Sequence, residues 1–362
     1  MRVLAVVPSI YDTSPGQRFR IEQWEPILRA SGVEITYAPF ETEELRSVLH
    51  QSGNVLAKIG AVTRNFQRRR DELASVKDFD LIYLFREAAL LGPPWFERKI
   101  ARLSVPVVFD FDDAIFHVYK SPSNGYLSYL KFPGKTAEIC RRSTHIMAGN
   151  EYLADYARAN NPNVTIIPTT IDTDKYKLRD DSGDEPETVT IGWSGSFSTI
   201  QHLDTIRDVL QELARTEKFM LRVIGTPAYK INGVETEAMQ WCSDTELDDL
   251  SQIDIGLMPL PDENWSRGKC GLKALQYMAL GIPTICSPVG VNSTIIEDGV
   301  NGFLAEDRDS WVEKIKLMIH SAALRRRIGI AGRETVENEY SAKVVAPRVL
   351  EVFETAVAAR VV

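Results

Sequence analysis

Lys269, Lys273 and Gln276 stand at positions i, i+4 and i+7 in the stretch DIGLMPLPDENWSRGKCGLKALQYMALGIP, residues 254–283. At about 100° per residue of α-helix they share one face. The first amide groups of a helix have no intrahelical partner and attract anions, so two lysines there describe a site for a phosphate-bearing ligand. Leu272, Leu275 and Ala279 occupy the adjacent sector and suit packing on a sheet. Ser266 is a candidate cap for this helix, and Gly281-Ile-Pro283 would end it. Asp254–Met258, closed by Pro259 and Pro261, reads as a buried strand, and Thr284–Cys286 enters another. The ligand would then lie at the C-terminal edge of a parallel sheet, where open α/β folds bind.

Three further groupings carry polar chemistry. The strand Pro106–Asp110 runs into Phe111-Asp112-Asp113-Ala114, and the strand Asp80–Phe85 runs into Arg86-Glu87. Crowded carboxylates such as Asp110, Asp112 and Asp113 either shift a pKa for acid–base work, bind a metal, or simply cap a turn. The opening strand, Val3–Val7, enters a loop holding Gly16, Arg18 and Arg20. Paired guanidiniums suit a phosphate or a sugar acid, or are surface charges at a helix start. Finally, Thr188–Ile191 leads into Gly192-Trp-Ser-Gly-Ser196. Backbone amides at Gly195 and Ser196 can cradle phosphate, although glycines also serve ordinary tight turns. Trp241 could pack beside a base or in a core.

The elements that hold these residues alternate strand and helix. In the first half, Gln17–Ala30 reads as a helix, Val33–Tyr37 as a strand, Gly53–Val76 as a long helix, Ser143–Met147 and Val164–Ile167 as strands, and Asn150–Asn160 as a short helix between them. In the second half, Ile200–Ala214, Asp307–His320, Ala322–Glu339 and Ser341–Arg360 read as helices, and Phe219–Ile224 as a strand. This alternation predicts parallel sheets in doubly wound α/β units. A length of 362 residues suits two domains, and the charged stretch KLRDDSGDEPE, residues 177–187, reads as their linker.

The net charge of −8 argues against general nucleic-acid binding. Its distribution is uneven: residues 1–170 carry 21 Lys/Arg against 19 Asp/Glu, the remainder 21 against 31. Cys140, Cys242, Cys270 and Cys286 lack metal-ligand spacing and suit reduced thiols of a cytoplasmic protein. The first apolar run is too short for a signal peptide, and no segment approaches the roughly 20 apolar residues of a membrane span. Lys58, Arg64, Arg68, Arg69 and Arg70 make the 53–76 helix basic around a thin apolar stripe. That pattern fits either a peripheral contact with anionic lipid at the inner face of a membrane or, more plainly, a solvated helix face.

Several motifs together resemble the GT-B fold glycosyltransferases of family 4 (glycosyl transferases group 1). Leu275–Pro283 (LQYMALGIP) is similar to the second half of the family's Glu-x7-Glu segment and the Ala-Met-Ala-x-Gly-x-Pro that follows. Ile296–Leu304 (IEDGVNGFL), Leu324–Tyr340, Asn150–Leu153 (NEYL) and Thr170–Tyr176 (TIDTDKY) also match family patterns. The resemblance implies two Rossmann-like β/α/β domains facing across a cleft, with the last helix returning to the first domain. Residues 1–175 plus the crossover helix 341–362 would form the acceptor domain, and 186–340 the nucleotide-sugar donor domain. It further implies transfer of a sugar with retention of configuration, from a UDP- or GDP-linked donor to a glycan or lipid-linked acceptor, with no metal and no cofactor required.

Departures from the family pattern fall on the donor motif. Its first glutamate, which meets the donor sugar, falls on Gly268, and its second, which meets the ribose, falls on Gln276. The Arg and Lys usual in the first turn of the second domain are missing from Gly192–Ser196. Lys269 and Lys273 replace them in the variant motif GKCGLKALQYMALGIP, so the diphosphate's counter-charge is expected to have moved there, helped by backbone amides at Gly195, Ser196, Cys270, Gly271 and Leu272. Gln276 would orient the ribose. Gly16, Arg18, Arg86 and Glu87 would lie on the acceptor side, with Asp112 and Asp113 as catalytic candidates. The loss at Gly268 keeps open a non-catalytic donor-binding or scaffold subunit of a polysaccharide assembly complex, and the fold is shared with nucleotide-sugar epimerases.

Overall fold

In the computed structural model, residues 1–49, 55–74, 76–118, 132–179 and 187–359 are described. The chain divides into two units, one of residues 1–169 with 345–362, the other of residues 170–344. In the first, β1 (Arg2–Val7), β2 (Glu34–Pro39), β3 (Leu81–Phe85), β4 (Val107–Phe111), β5 (His145–Ala148) and β6 (Val164–Ile166) form one sheet in the order β2-β1-β3-β4-β5-β6. Every pairing is parallel. Parallel strands covered by helices on both faces need continuous apolar runs, and LIYLF of β3 and VVFDF of β4 are buried at every position.

The second sheet holds β7 (Val189–Ser194), β8 (Phe219–Ile224), β9 (Thr236–Met239), β10 (Ile255–Met258), β11 (Thr284–Cys286) and β12 (Phe303–Leu304), in the order β12-β11-β10-β7-β8-β9. It too is parallel throughout. Ile191, Leu221, Leu257 and Ile285 on its strands join Val209, Leu213, Trp311, Ile315 and Met318 on helices to form the core. The edge strands β9 and β12 escape the sequence pattern, because four half-exposed residues and two residues show no usable periodicity.

Several expected elements are shifted. The helix expected over 17–30 breaks at Arg20 (φ −130°, ψ −112°), whose side chain is drawn into an interior ion pair. The helix expected over 200–214 is two, Ile200–Asp204 and Arg207–Leu213. β7 extends through Gly192, Trp193 and Ser194, so only Gly195 and Ser196 form the turn. Residues 170–175, expected with the first domain, belong to the second unit. Ile171 bridges to Ser341 and exchanges backbone hydrogen bonds with Tyr340 and Ala342, while Arg333 donates to the carbonyls of Thr173 and Tyr176. Residues 180–186 of the expected linker lie outside the described residues, as do 53, 54 and 75 of the long helix. The last helix, Ala342–Ala358, joins the first unit from Val345 onward. Its Phe353 ring packs 6.0 Å from that of Tyr83, and Arg348 donates to the Ile166 carbonyl at 2.7 Å.

Candidate functional site

In the second sheet the strand order reverses between β7 and β10. Ligands of open α/β sheets bind at such a switch point, outside the carboxyl ends of the strands. Gly195 and Ser196 follow β7, and the segment from Pro259 to Lys273 follows β10, so the expected anion-site residues flank this point.

The helix after β10 begins later than its sequence suggested. Ser266 caps nothing: it is buried inside a short turn, Asn264–Arg267, and the helix proper is Leu272–Ala279. Gly271 stands at its N-cap with φ of 71°, a left-handed conformation that suits glycine, and a Cβ there would lie 2.3 Å from Ile295. Lys269 therefore precedes the helix, and the shared helical face expected of Lys269, Lys273 and Gln276 is not formed. Each lysine instead lies over a tryptophan ring. Lys273 Nζ lies 5.5 Å from the Trp193 ring centre, and Lys269 Nζ lies 5.2 Å from that of Trp265. A Cβ at Gly195 would sit 2.4 Å from Trp193 and 2.9 Å from Lys273 Cε, so the Lys273 stem lies against the Gly195 turn. Ser196 shares a 2.8 Å hydroxyl contact with Ser198 in that turn. Cys270 and Gly271 are buried and Leu272 is half-buried behind it.

His202, a residue the sequence did not single out, reports on both lysines. Its imidazole is 3% exposed, and its pKa is lowered to about 4 by burial first, then by Lys273 and Lys269. Its Nε2 is buried without a hydrogen-bond partner. Among the described residues of the second unit, the other side-chain atoms in that condition are Thr226 Oγ1, Ser266 Oγ and Asn292 Oδ1. The four follow β7, β8, β10 and β11 respectively, all beyond the carboxyl ends of the strands. Leaving one such group unsatisfied costs about 1–3 kcal/mol. Their concentration along one sheet edge marks a region whose polar groups are not fully satisfied from within.

Gln276 is held by contacts that its sequence position did not announce. It is buried, and its Nε2 donates to Tyr176 Oη at 3.0 Å and to Glu246 Oε1 at 3.3 Å. Glu246 also accepts from Trp241 Nε1 and from Tyr176 Oη, both at 2.9 Å. Trp241 is thus half-buried and anchored edge-on, between the two alternatives its sequence position allowed. Nothing local in sequence links Glu246 or Tyr176 to Gln276, since they lie 30 and 100 residues away.

In the first unit the order reverses between β1 and β3. Gly16, Arg86, Asp112 and Asp113 meet there. Arg86 donates from Nε to Asp112 and from Nη2 to Asp113, each at 2.7 Å. A Cβ on Gly16 would lie 2.6 Å from Arg86 Nη2 and 2.9 Å from Asp112 Oδ2, so this pair leaves room only for glycine. Glu87 turns to Lys135 at 2.5 Å, and Arg18 to Asp12 at 2.7 Å. Arg20 and Asp110 depart from expectation. Both are fully buried and joined by a two-pronged ion pair, Nε to Oδ2 at 2.7 Å and Nη2 to Oδ1 at 2.5 Å. Tyr83 donates to the same carboxylate, and Arg20 Nη1 to the Ile167 carbonyl. Burial pushes the Asp110 carboxyl upward against the pull of Arg20 and Tyr83. This pair is structural, so the acidic cluster reduces to Asp112 and Asp113. Among the described residues no group of three His, Cys, Asp or Glu side chains is arranged to hold a metal.

The basic helix, Val55–Glu72, spends its arginines within its own unit. Arg64 pairs with Glu44, Arg68 donates to the carbonyls of Pro39 and Phe40, and Arg70 pairs with Asp71. Arg69, 1% exposed, donates to the carbonyls of Val7, Ala38 and Ala88. Of the cationic face weighed for anionic lipid, Arg68 and Arg69 turn to backbone carbonyls, whereas Arg64 and Arg70 pair with carboxylates and stay exposed. Among the described residues no helix is long and apolar enough to cross a membrane.

Comparison with known proteins agrees with this architecture. Residues 188–321 match the family model described as Glycosyl transferases group 1. Over 82 residues, 22% of each chain, the sequence is 34% identical to spore coat protein SA of Bacillus subtilis. Over 88 residues it is 32% identical to the capsular polysaccharide biosynthesis glycosyltransferase CapM of Staphylococcus aureus, covering 24% of this chain and 23% of that one. The matched stretch thus spans less than a quarter of either relative's length. Among solved structures, sucrose-phosphate synthase from Thermosynechococcus elongatus superposes with a TM-score of 0.72 at 14% identity, over 99% of this chain and 100% of that one. Anabaena HepE, solved in complex with UDP and glucose, gives 0.66 at 14% identity, over 98% and 100%. The fold is GT-B, and the resemblance carried by the motifs is supported in the segment 188–321.

Proposed function

We propose that this chain transfers a sugar from a nucleotide-sugar donor to a glycan or lipid-linked acceptor. The observation that carries the reading is the second sheet's switch point, with Lys273 against the Gly195 turn, Lys269 and Lys273 both acting on buried His202, and unsatisfied polar groups following its strands. Lys269 and Lys273 would hold the donor's diphosphate and stabilise the charge that develops on it as the glycosidic bond breaks. Amides at Gly195, Ser196, Cys270, Gly271 and Leu272 would add hydrogen bonds, and Gln276 would meet the ribose. HepE is described in complex with UDP and glucose, which favours a uracil donor as the first to test. The first unit would receive the acceptor around Gly16, Arg18, Arg86 and Glu87, with Asp112 or Asp113 as the group nearest the chemistry. Retention of anomeric configuration follows the family resemblance, and NMR of the product's anomeric proton checks it. Any lipid contact through the helix Val55–Glu72 would use the exposed Arg64 and Arg70, since Arg68 and Arg69 turn to backbone carbonyls.

A second reading, a donor-binding subunit without transfer activity, is favoured by Gly268, which has no side chain where the family motif supplies a carboxylate. Calorimetric titration with UDP and GDP, followed by incubation with UDP-sugars and saccharide acceptors, separates the two. Binding with turnover supports the transferase, binding without any turnover supports the subunit, and no binding of either nucleotide refutes both.

A further inference from the structure

The amide of Gln276 has only one orientation compatible with its neighbours. Its Nε2 donates to Glu246 Oε1 and Tyr176 Oη, while Tyr176 donates its own proton to Glu246 Oε2 at 2.9 Å. Glu246 therefore collects donors from Trp241, Tyr176 and Gln276. Glu246 Oε1 already accepts from Trp241 Nε1 and Gln276 Nε2, so turning the amide over would set one acceptor oxygen, Gln276 Oε1, against another. Gln276 is held by its nitrogen, and among the described residues no donor reaches its carbonyl oxygen, which is what it has left to offer. In that respect it imitates one oxygen of a carboxylate.

We propose that Glu246 is a positioning residue for the nucleoside end of the donor, fixing Gln276 so that its Oε1 accepts a hydrogen bond from a ribose hydroxyl. The proposal rests on the reading that Gln276 meets the donor's ribose. It explains how a glutamine can stand where the motif that this segment resembles has a glutamate. A glutamate at 276 would face Glu246 at about the 3.3 Å now spanned by a hydrogen bond, and two carboxylates that close cannot both ionise. The carboxylate is kept but set one residue further from the ligand.

The test is calorimetry with UDP, 2′-deoxy-UDP and inorganic pyrophosphate on wild type, Glu246→Gln and the exchange Glu246→Gln/Gln276→Glu. Should the protein take GDP instead, the guanine pair of nucleotides replaces the uracil pair. In Glu246→Gln the new amide can donate to Gln276 and turn it over, so ribose affinity falls about tenfold, the scale of one hydrogen bond. Pyrophosphate affinity, which depends on Lys269 and Lys273, stays unchanged, and the preference for ribose over deoxyribose disappears. In the exchange variant an amide at 246 faces a carboxylate at 276, and UDP affinity returns to within about threefold of wild type. The exchange also serves where Glu246→Gln alone does not fold. The proposal is overturned if folded Glu246→Gln binds UDP as wild type does, if it loses UDP and pyrophosphate equally, or if the folded exchange variant remains tenfold weak. Those results leave the donor reading standing, provided Lys273→Met weakens UDP and pyrophosphate together. A wild type that binds neither UDP nor GDP overturns the donor reading itself.

Discussion

Replacing Lys273 by methionine removes the charge of the anion site while keeping most of the stem that packs beside Gly195 and Trp193. A charge-assisted hydrogen bond to phosphate contributes about 1.5–3 kcal/mol net. Its loss should weaken UDP binding by roughly 10- to 150-fold. The cation over the Trp193 ring contributes about 0.5–1 kcal/mol more to folding, which sets the stability loss apart from the binding loss. His202 supplies an internal check that needs no ligand. Its pKa is lowered to about 4 by burial, then Lys273, then Lys269, so Lys273→Met should raise it towards 6.5 without restoring it fully, because burial and Lys269 remain. Calorimetry at two salt concentrations reads the affinity, and NMR titration of the imidazole reads the pKa. Equal UDP affinity in wild type and variant, or a His202 titration that does not move, would refute the assignment of Lys273 to the anion site.

Further expectations concern stability and acceptor chemistry. The depressed pKa of His202 makes stability fall as pH drops: its contribution is complete above pH 6.5, the unfolded value, and declines on the way down through about 4. Urea midpoints at pH 7.5 and 4.5 should differ by less in His202→Gln than in wild type, and an equal difference would count against it. Arg20→Ala strands the fully buried Asp110 carboxylate and should destabilise the first unit by about 3–5 kcal/mol, measured by chemical denaturation. Gly195→Ala forces a Cβ to within 2.4 Å of Trp193, which is 1% exposed and cannot move aside. It should cost about 1–3 kcal/mol and lower UDP affinity as well. Asp112→Asn should abolish transfer while leaving UDP affinity within about threefold, well under the tenfold scale of one lost hydrogen bond, since Asp112 belongs to the first unit and Lys269 and Lys273 to the second.

Much of the fold is legible in the residues alone. Buried parallel strands must be continuous apolar runs, and runs such as LIYLF and IGLM are bounded by Pro, Gly or polar residues in the chain itself. The same local logic located Gly195, Lys269, Lys273 and Gly16, because each follows the carboxyl end of a strand. Tertiary structure decided what those residues do with their neighbours. Periodicity predicted a helix through Lys269, yet the left-handed turn at Gly271, packed against Ile295, starts it at Leu272. Arg20 looked available to a ligand until Asp110, 90 residues away, took both prongs of its guanidinium. Arg68 and Arg69 of the long helix looked like part of a cationic face until backbone carbonyls of their own unit claimed them. Gln276 was placed by sequence at the donor, but its orientation comes from Tyr176 and Glu246, which only folding brings near. Helix and strand periods are properties of contiguous chain. The partner of a buried polar group is a property of packing, because a charge or amide removed from water is stabilised by whichever complementary atom the fold delivers.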